Sequence, residues 1–414
     1  VTAPNAAATP GRAAEEQRQP MLRIDLAAVA SNTRRLRARC PRSAFMAVVK
    51  ADAFGHGMSD VARTVRAHGA DRLGVATLGE AHALRRAGLT GPVLAWLTAP
   101  HSDFEAALQD DVEVAVAGVE HLRAVAGAAL STGRTARVHL HADVGMARDG
   151  ASPEQWAELC GAALRLEAAG VLRVVGVMGH LGCADDPDDP HNRQGREAFD
   201  VAVRQARRVG LRPRHRHLAA TAALLNDPRS HYDLVRVGAG LYGIDPTRRA
   251  GLRQAMTLTA PVAAVRDVAA GTPVGYGHAF RTDRPTRLAL LPLGYGDGLP
   301  RQASHRAQVL LRGRRRSVVG LFSMDQIVID AGDDPVTPGE TVTVLGPGDA
   351  GEPTVEDWAR WAGTLPHHLL TTLGGQPRLA RRTLPAPPPS PSASRPSASR
   401  HPASRHPADL EIPA

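Results

Sequence analysis

Eight short apolar runs spaced by amphipathic stretches constrain this chain more than any other feature. Phe45–Val49, Arg72–Ala76, Val93–Leu97, Val112–Ala117, Arg137–Ala142, Val174–Leu181, His215–Ala219 and Leu234–Val237 each have the length and character of a buried strand. Between most of them apolar residues recur at three and four positions, as at Val61 and Val65 of Ser59–His68 and at Ala81, Leu84 and Ala87 of Leu78–Ala87. Pro153–Ala168 and Gly195–Val209 read as helices in the same way. Eight strands alternating with helices over about 220 residues predict an α/β chain built on a (β/α)8 TIM barrel. A doubly wound sheet is the rival, but no Gly-rich dinucleotide turn follows the first strand.

After Gly243 the texture changes. Leu258–Val265, Arg287–Leu291, Ala307–Leu311, Gln326–Ile329 and Thr341–Leu345 are Val-, Leu- and Thr-rich and separated by Gly and Pro, which predicts a C-terminal mainly-β domain with one late helix, Val355–Ala362. The boundary is expected near Asp245–Ala255, so the barrel takes residues 21–245 and the β-domain 246–382. Residues 1–20 are expected to be a disordered leader, and the Pro/Ser/Arg-rich residues 383–414 a low-complexity tail. With 43% hydrophobic but only 3% aromatic residues, Ala, Val and Leu must do most of the packing.

The net charge of +9 comes from scattered arginines with little aromatic interleaving, which argues against a nucleic-acid partner. The densest cluster, Arg312-Gly-Arg-Arg-Arg316, lies between apolar stretches and reads as a solvated hairpin tip. No run approaches the ~18 apolar residues of a membrane span. Cys40, Cys160 and Cys183 make neither a metal pattern nor an even disulfide framework, so the expectations are no metal and a reducing, cytoplasmic setting.

Lys50 is the only lysine in the chain. It follows an apolar strand, which in a barrel places it on the face where chemistry is done. An amine there forms a Schiff base with a carbonyl cofactor, whereas the guanidinium that has replaced lysine everywhere else cannot. A surface lysine is the bland alternative.

The Lys50 segment with Gly55-His-Gly57 resembles the pyridoxal-phosphate (PLP) lysine motif of the alanine racemase family. Further stretches are similar to that family in order: Ile24-Asp-Leu26 with Asn32 to its entry helix, Gly74–Glu80 with Leu84-Arg85 to its second barrel unit, and Val235–Gly243 to its last barrel strand and phosphate turn. Gly275-Tyr-Gly277, Gly294–Gly298 and Ser323–Gln326 resemble three β-domain signatures. The resemblance implies a PLP-dependent amino-acid racemase, L-alanine being the expected substrate, and a homodimer that shares its active sites. Lys50 would hold PLP and serve as base on one face, with Tyr276 of a second subunit on the other. Arg236 would face the pyridine nitrogen and, with a pKa above ~12, leave it unprotonated. His180 would lie beneath the ring, or else be a satisfied core histidine. Thr221, Gly238 and Ala239 would cradle the phosphate, while Arg148 and Met324 would contact the substrate.

The chain also departs from the family. Asp52 and Phe54 stand where Asn and Tyr are usual, so Phe54 lacks a hydroxyl expected at the phosphate. His141 occupies the place of a carbamylated lysine, leaving it, or a bound anion, to orient Arg148. Ala220 replaces an Asn, His367 replaces an entry tyrosine, and the closing motif is reduced to Pro377-Arg378. A racemase for another amino acid, a PLP decarboxylase of the same architecture and a PLP-binding protein without fast turnover remain as alternatives.

Overall fold

The computed structural model describes residues 19–388, so most of the leader and of the tail lies outside the described residues. Strands β2 (Ala44–Val48), β3 (Arg72–Val75), β4 (Val93–Ala95), β5 (Val112–Val116), β6 (Ala136–His141), β7 (Leu172–Met178), β8 (His215–His217) and β9 (Leu234–Val237) form one parallel sheet, ordered β8-β7-β6-β5-β4-β3-β2-β9. The seam between β8 and β9 is bridged by Asp233 N to Arg216 O at 3.1 Å and Arg236 N to Ala219 O at 3.0 Å, which nearly closes the barrel. Helices α1 (Leu26–Ala38), α2 (Met58–Ala67), α3 (Leu78–Arg86), α4 (Phe104–Gln109), α5 (Val119–Thr132), α6 (Pro153–Ala168), α7 (Pro190–Arg208) and α8 (Thr221–Asn226) accompany it.

Local chemistry starts and stops these helices. Thr77 with Glu80 and Ser152 with Gln155 form capping boxes on α3 and α6. Asp189 caps α7 with Pro190 behind it, five residues before the expected start, because the first turns of α7 are polar and hide the apolar period. The run Val174–Leu181 is strand only as far as Met178; the chain then leaves the ladder and carries His180 to the barrel mouth.

The C-terminal domain is a nine-stranded sheet. Its strands are β1 (Met21–Asp25), β10 (Met256–Pro261), β11 (Ala264–Val268), β14 (Thr286–Leu291), β15 (Gln308–Leu311), β16 (Arg314–Val319), β17 (Ile327–Gly332), β18 (Thr341–Leu345) and β19 (Ala380–Leu384), while β12 (Pro273–Val274) and β13 (Phe280–Arg281) pair apart. Leu258–Val265, expected as one strand, is two, because β10 pairs with β1 and β18 while β11 pairs with β14. Helices α9 (Val355–Ala362) and α10 (Pro366–Gly374) precede β19.

Both expected domain ends are displaced by the same pairing. Strand β1 lies antiparallel to β10 and parallel to β19, so Met21–Asp25 belongs to the β-domain sheet, and Thr383 and Leu384 pair with Ile24 and Asp25 rather than opening a tail. Asp25 then caps α1 by accepting from Ala27 N at 2.8 Å and Ala28 N at 3.1 Å. Asn32, fully buried, ties that helix to the end of the barrel through Leu241 O at 3.0 Å and to the interdomain linker through Arg253 O at 2.7 Å and Arg253 N at 2.9 Å.

The arginine cluster is a two-residue hairpin, with Arg312 (φ 52°) and Gly313 (φ 73°) both left-handed. Arg312 pairs with Glu340 at 2.7 Å, Arg315 with Asp357 at 2.9 Å, and Arg316 with Asp334, so these cations are partnered by carboxylates. Among the described residues no helix is long and apolar enough to cross a membrane, and all three cysteines are free thiols.

Candidate active site

Beyond β2 the backbone does something L-residues rarely do. Ala51, Asp52, Ala53 and Phe54 all adopt left-handed helical angles (φ 52°, 50°, 56° and 54°). Each costs roughly 1–2 kcal/mol, so the turn persists only because its surroundings hold it. Glu80, already capping α3, accepts from Ala51 N at 2.7 Å. Asp52 accepts from Met58 N at 2.7 Å, and Arg381 on β19 donates to Gly55 O at 3.0 Å. His56, fully buried, has Nδ1 3.0 Å from Ala53 O and 2.9 Å from Phe54 O and stacks on Tyr242, 4.6 Å between centroids. Burial pushes its pKa down to about 4, so the neutral ring keeps its Nδ1–H on the turn's carbonyls.

Lys50 begins this turn. Among the described residues its amine has no hydrogen bond or ion pair, and Nζ sits 5.9 Å from the centroid of Trp96. Burial lowers its pKa; the Arg148 charge lowers it further, Glu80 opposes this, and Arg236 adds to the lowering. A desolvated amine between two guanidiniums is a poised nucleophile.

Arg236 reaches the mouth from β9. It donates through Nη2 to Gly179 O at 2.7 Å and His180 Nδ1 at 3.2 Å, and through Nη1 to His217 O at 2.9 Å and His217 Nδ1 at 3.1 Å. Burial lowers its pKa to about 10, below the expected value but high enough to keep it cationic at neutral pH. His180 is driven to about 3 by burial, then by the charges of Arg236 and Arg148, so it is a neutral ring with its proton on Nε2.

Thr221 opens α8 behind Ala220, which makes no side-chain cap bond, and its hydroxyl accepts from Gly240 N at 3.3 Å. Gly238 and Ala239 lead the 3₁₀ turn Ala239–Tyr242 beside it. A Cβ on Gly238 would come within 3.3 Å of the Phe54 ring, whose other neighbours are Tyr242 at 4.7 Å and His367 at 5.7 Å between centroids. The two exchanged aromatic positions, Phe54 and His367, therefore face each other at this edge.

The arginine in the loop after β6 differs from expectation. His141 pairs with Asp149, Nδ1 to Oδ2 at 3.3 Å, not with Arg148. The Asp149 carboxyl is lowered first by His141, and Arg148 is left exposed with no side-chain partner among the described residues. Cys183, Asp189 and His191 also gather nearby, but Asp189 is occupied in capping, accepting from His191 N at 2.8 Å and Nδ1 at 2.7 Å.

Tyr276 and Met324 are not drawn in. They lie on the β-domain surface, 68% and 53% exposed, and among the described residues no contact links them to Lys50 within the chain. Arg378, the remnant of the closing motif, joins two of the β-domain signatures, reaching Asp297 at 3.3 Å and Asp325 at 2.7 Å. Motif reading placed Glu80 in the second barrel unit but not on the Lys50 turn, and it missed Arg381 and the buried Glu113, His139 and His217; these are ordinary in sequence, and only their distant partners reveal them.

Comparison with known proteins agrees with this geometry. The alanine racemase N-terminal domain model matches residues 24–246, and the C-terminal domain model residues 255–383. An alanine racemase of Frankia casuarinae is 48% identical over 365 residues, 87% of this chain and 94% of that protein. The crystal structure of alanine racemase from a D-cycloserine producing Streptomyces lavendulae superposes with a TM-score of 0.86 at 44% identity, covering 89% of this chain and 97% of its own. The alanine racemase of Bartonella henselae with covalently bound pyridoxal phosphate gives 0.79 at 27% identity, covering 88% and 99%. The chain belongs to the alanine racemase family.

Proposed function

We propose that this protein is a PLP-dependent alanine racemase that interconverts L- and D-alanine by a two-base mechanism. The observation that carries the reading is Lys50: a lone, desolvated amine without an ion pair among the described residues, held at the barrel mouth by a strained turn. The site also fits PLP as a whole. It offers an amine for the carbonyl, the Arg236 donor for the ring nitrogen, and the Thr221 hydroxyl with the Gly238 and Ala239 amides for the phosphate.

When bound, PLP supplies an electron sink that acidifies the substrate α-proton. Lys50 Nζ then takes or returns that proton on one face. Its lowered pKa suits this, since an amine titrating nearer neutrality spends more time free. Tyr276 Oη serves the opposite face. Because it is exposed on the β-domain, the reading requires a homodimer in which each copy lends Tyr276 and Met324 to the other's barrel mouth. Arg236, cationic at neutral pH, would donate to the ring nitrogen without giving up its proton and so limit side chemistry such as transamination. His180, neutral and hydrogen-bonded to Arg236, would lie against the cofactor ring. The unpartnered Arg148 guanidinium is available to the substrate carboxylate. His367 and Phe54 border the phosphate end. The free thiols fit a reducing, cytoplasmic setting.

The test is incubation with L-alanine and with other L-amino acids in D₂O, followed by chiral analysis. The expected product is D-alanine deuterated at Cα, and Tyr276→Phe should lose roughly 10²–10⁴ of the rate. Cofactor-loaded protein that exchanges no amino-acid α-proton overturns the reading; preference for another amino acid overturns the substrate alone.

A further inference from the structure

The barrel interior contains a chain of buried polar groups that the proposed reaction does not use. Glu113 on β5 lies near the barrel's N-terminal end, where it pairs with Arg72 and, at 3.3 Å, with Arg137. His139 Nε2 is 2.9 Å from Glu113 Oε2, His139 Nδ1 is 2.9 Å from His217 Nε2, and His217 Nδ1 is 3.1 Å from Arg236 Nη1. Glu113 is 4% exposed, His139 and His217 are 0%, and Arg236 is 6%.

Donor and acceptor rules leave one arrangement of protons. A guanidinium only donates, so His217 Nδ1 accepts and its proton sits on Nε2. That proton points at His139 Nδ1, which must accept, so His139 carries its proton on Nε2 and donates to Glu113. Burial and the surrounding cations keep both imidazoles neutral: Arg72, Arg236 and His215 face them, with Glu113 the one carboxylate. Burial alone would raise the Glu113 carboxyl, but the His139 hydrogen bond and Arg72 hold it at about 2.

The fold makes room for this chain. A Cβ on Gly176 of β7 would overlap His139 Nδ1, although Gly176 has no positive φ that calls for glycine. The β6–β7 register slips beside it, between Val138 and His139. At the far end, both terminal nitrogens of Arg236 are engaged by Gly179, His180, His217 and Leu218, and among the described residues its Nε–H alone has no hydrogen-bond partner.

We propose that Glu113, His139 and His217 are positioning residues: a barrel-spanning hydrogen-bond relay that occupies the terminal N–H groups of Arg236 and thereby presents its Nε–H at the mouth. The functional part of this rests on the racemase reading, in which that donor meets the cofactor's ring nitrogen. The relay itself is a property of the chain alone.

Histidine side-chain ¹⁵N–¹H NMR on the full chain tests the relay without turnover, with signals assigned through His139 and His217 variants. His139 and His217 should both appear as neutral Nε2–H tautomers at pH 7. An Nδ1–H tautomer or an imidazolium at either position overturns the proposal. For function, His139→Phe removes the acceptor for His217 within the space left by Gly176, whereas His139→Asn keeps an acceptor at the δ position. His139→Phe should lower kcat roughly ten- to a hundredfold, the usual loss when a supporting orienter is removed, with KM for alanine within about twofold. His139→Asn should recover most of that loss. Equal kcat in the two variants overturns transmission to Arg236. If His139→Phe does not fold, the wild-type tautomers still decide. A wild type that binds no PLP sinks the functional reading while leaving the tautomer result to judge the relay.

Discussion

Two glycine-to-alanine substitutions on helices should act with opposite sign, and the difference probes how the Lys50 turn is held. Gly374 ends α10, and a Cβ there would overlap Gly55 Cα and its carbonyl, about 1 Å inside ordinary contact. The atoms it meets are backbone, in the left-handed turn that carries Lys50, so no side chain can rotate aside. Separating α10 from the turn should cost about 2–3 kcal/mol, the upper range of overpacking. Gly127 lies exposed within α5 with nothing within 4 Å of the added methyl. There the exchange removes only glycine's entropic cost and should stabilise by about 1 kcal/mol. Thermal melts of Gly374→Ala and Gly127→Ala, with PLP titration of each, give both readings. Gly374→Ala should melt lower and bind PLP more weakly, while Gly127→Ala should melt higher with unchanged affinity. A Gly374→Ala protein that melts with the wild type and binds PLP equally well would refute the idea that this contact enforces the turn.

Lys50→Arg keeps a cation but cannot form a Schiff base, so the visible absorbance of lysine-bound PLP should vanish; a persistent band would assign the attachment elsewhere. Phe54→Tyr places a hydroxyl on the ring that touches Gly238, and should tighten PLP binding by about 1 kcal/mol, roughly fivefold, in a titration of cofactor-free protein. No change there would mean that the ring does not reach the phosphate. Acid should destabilise the fold from pH 6.5 downward: His56 titrates near 4 when folded and near 6.5 when unfolded, so the unfolded chain binds more protons in that window and pulls the equilibrium. This one histidine is worth roughly 3 kcal/mol by pH 4, and His56→Gln should flatten the slope of melting temperature against pH. A wild-type melting temperature that stays level from pH 7 to 4.5 would contradict it.

What the sequence determined by itself was whatever is periodic or chemically singular. The barrel strands showed because residues buried on both faces must be apolar over short runs, and the start of α6 was legible because Ser152, Pro153 and Gln155 write it in local chemistry. Lys50 stood out because no other residue in the chain can do an amine's work. Tertiary structure decided what depends on partners remote in the chain. Strand β1 alternates like any half-buried strand, and only pairing with β10 and β19 assigns it to the second domain. The sequence left His141, or a bound anion, to orient Arg148; the loop turns Asp149 onto His141. The left-handed turn is invisible in Ala51-Asp-Ala-Phe54, since no residue there favours positive φ; contacts from Glu80, Tyr242, Arg381 and α10 impose it. Hydrophobic period is a local signal, whereas strain, register and the protonation of buried groups are set by whatever the rest of the fold presses against them.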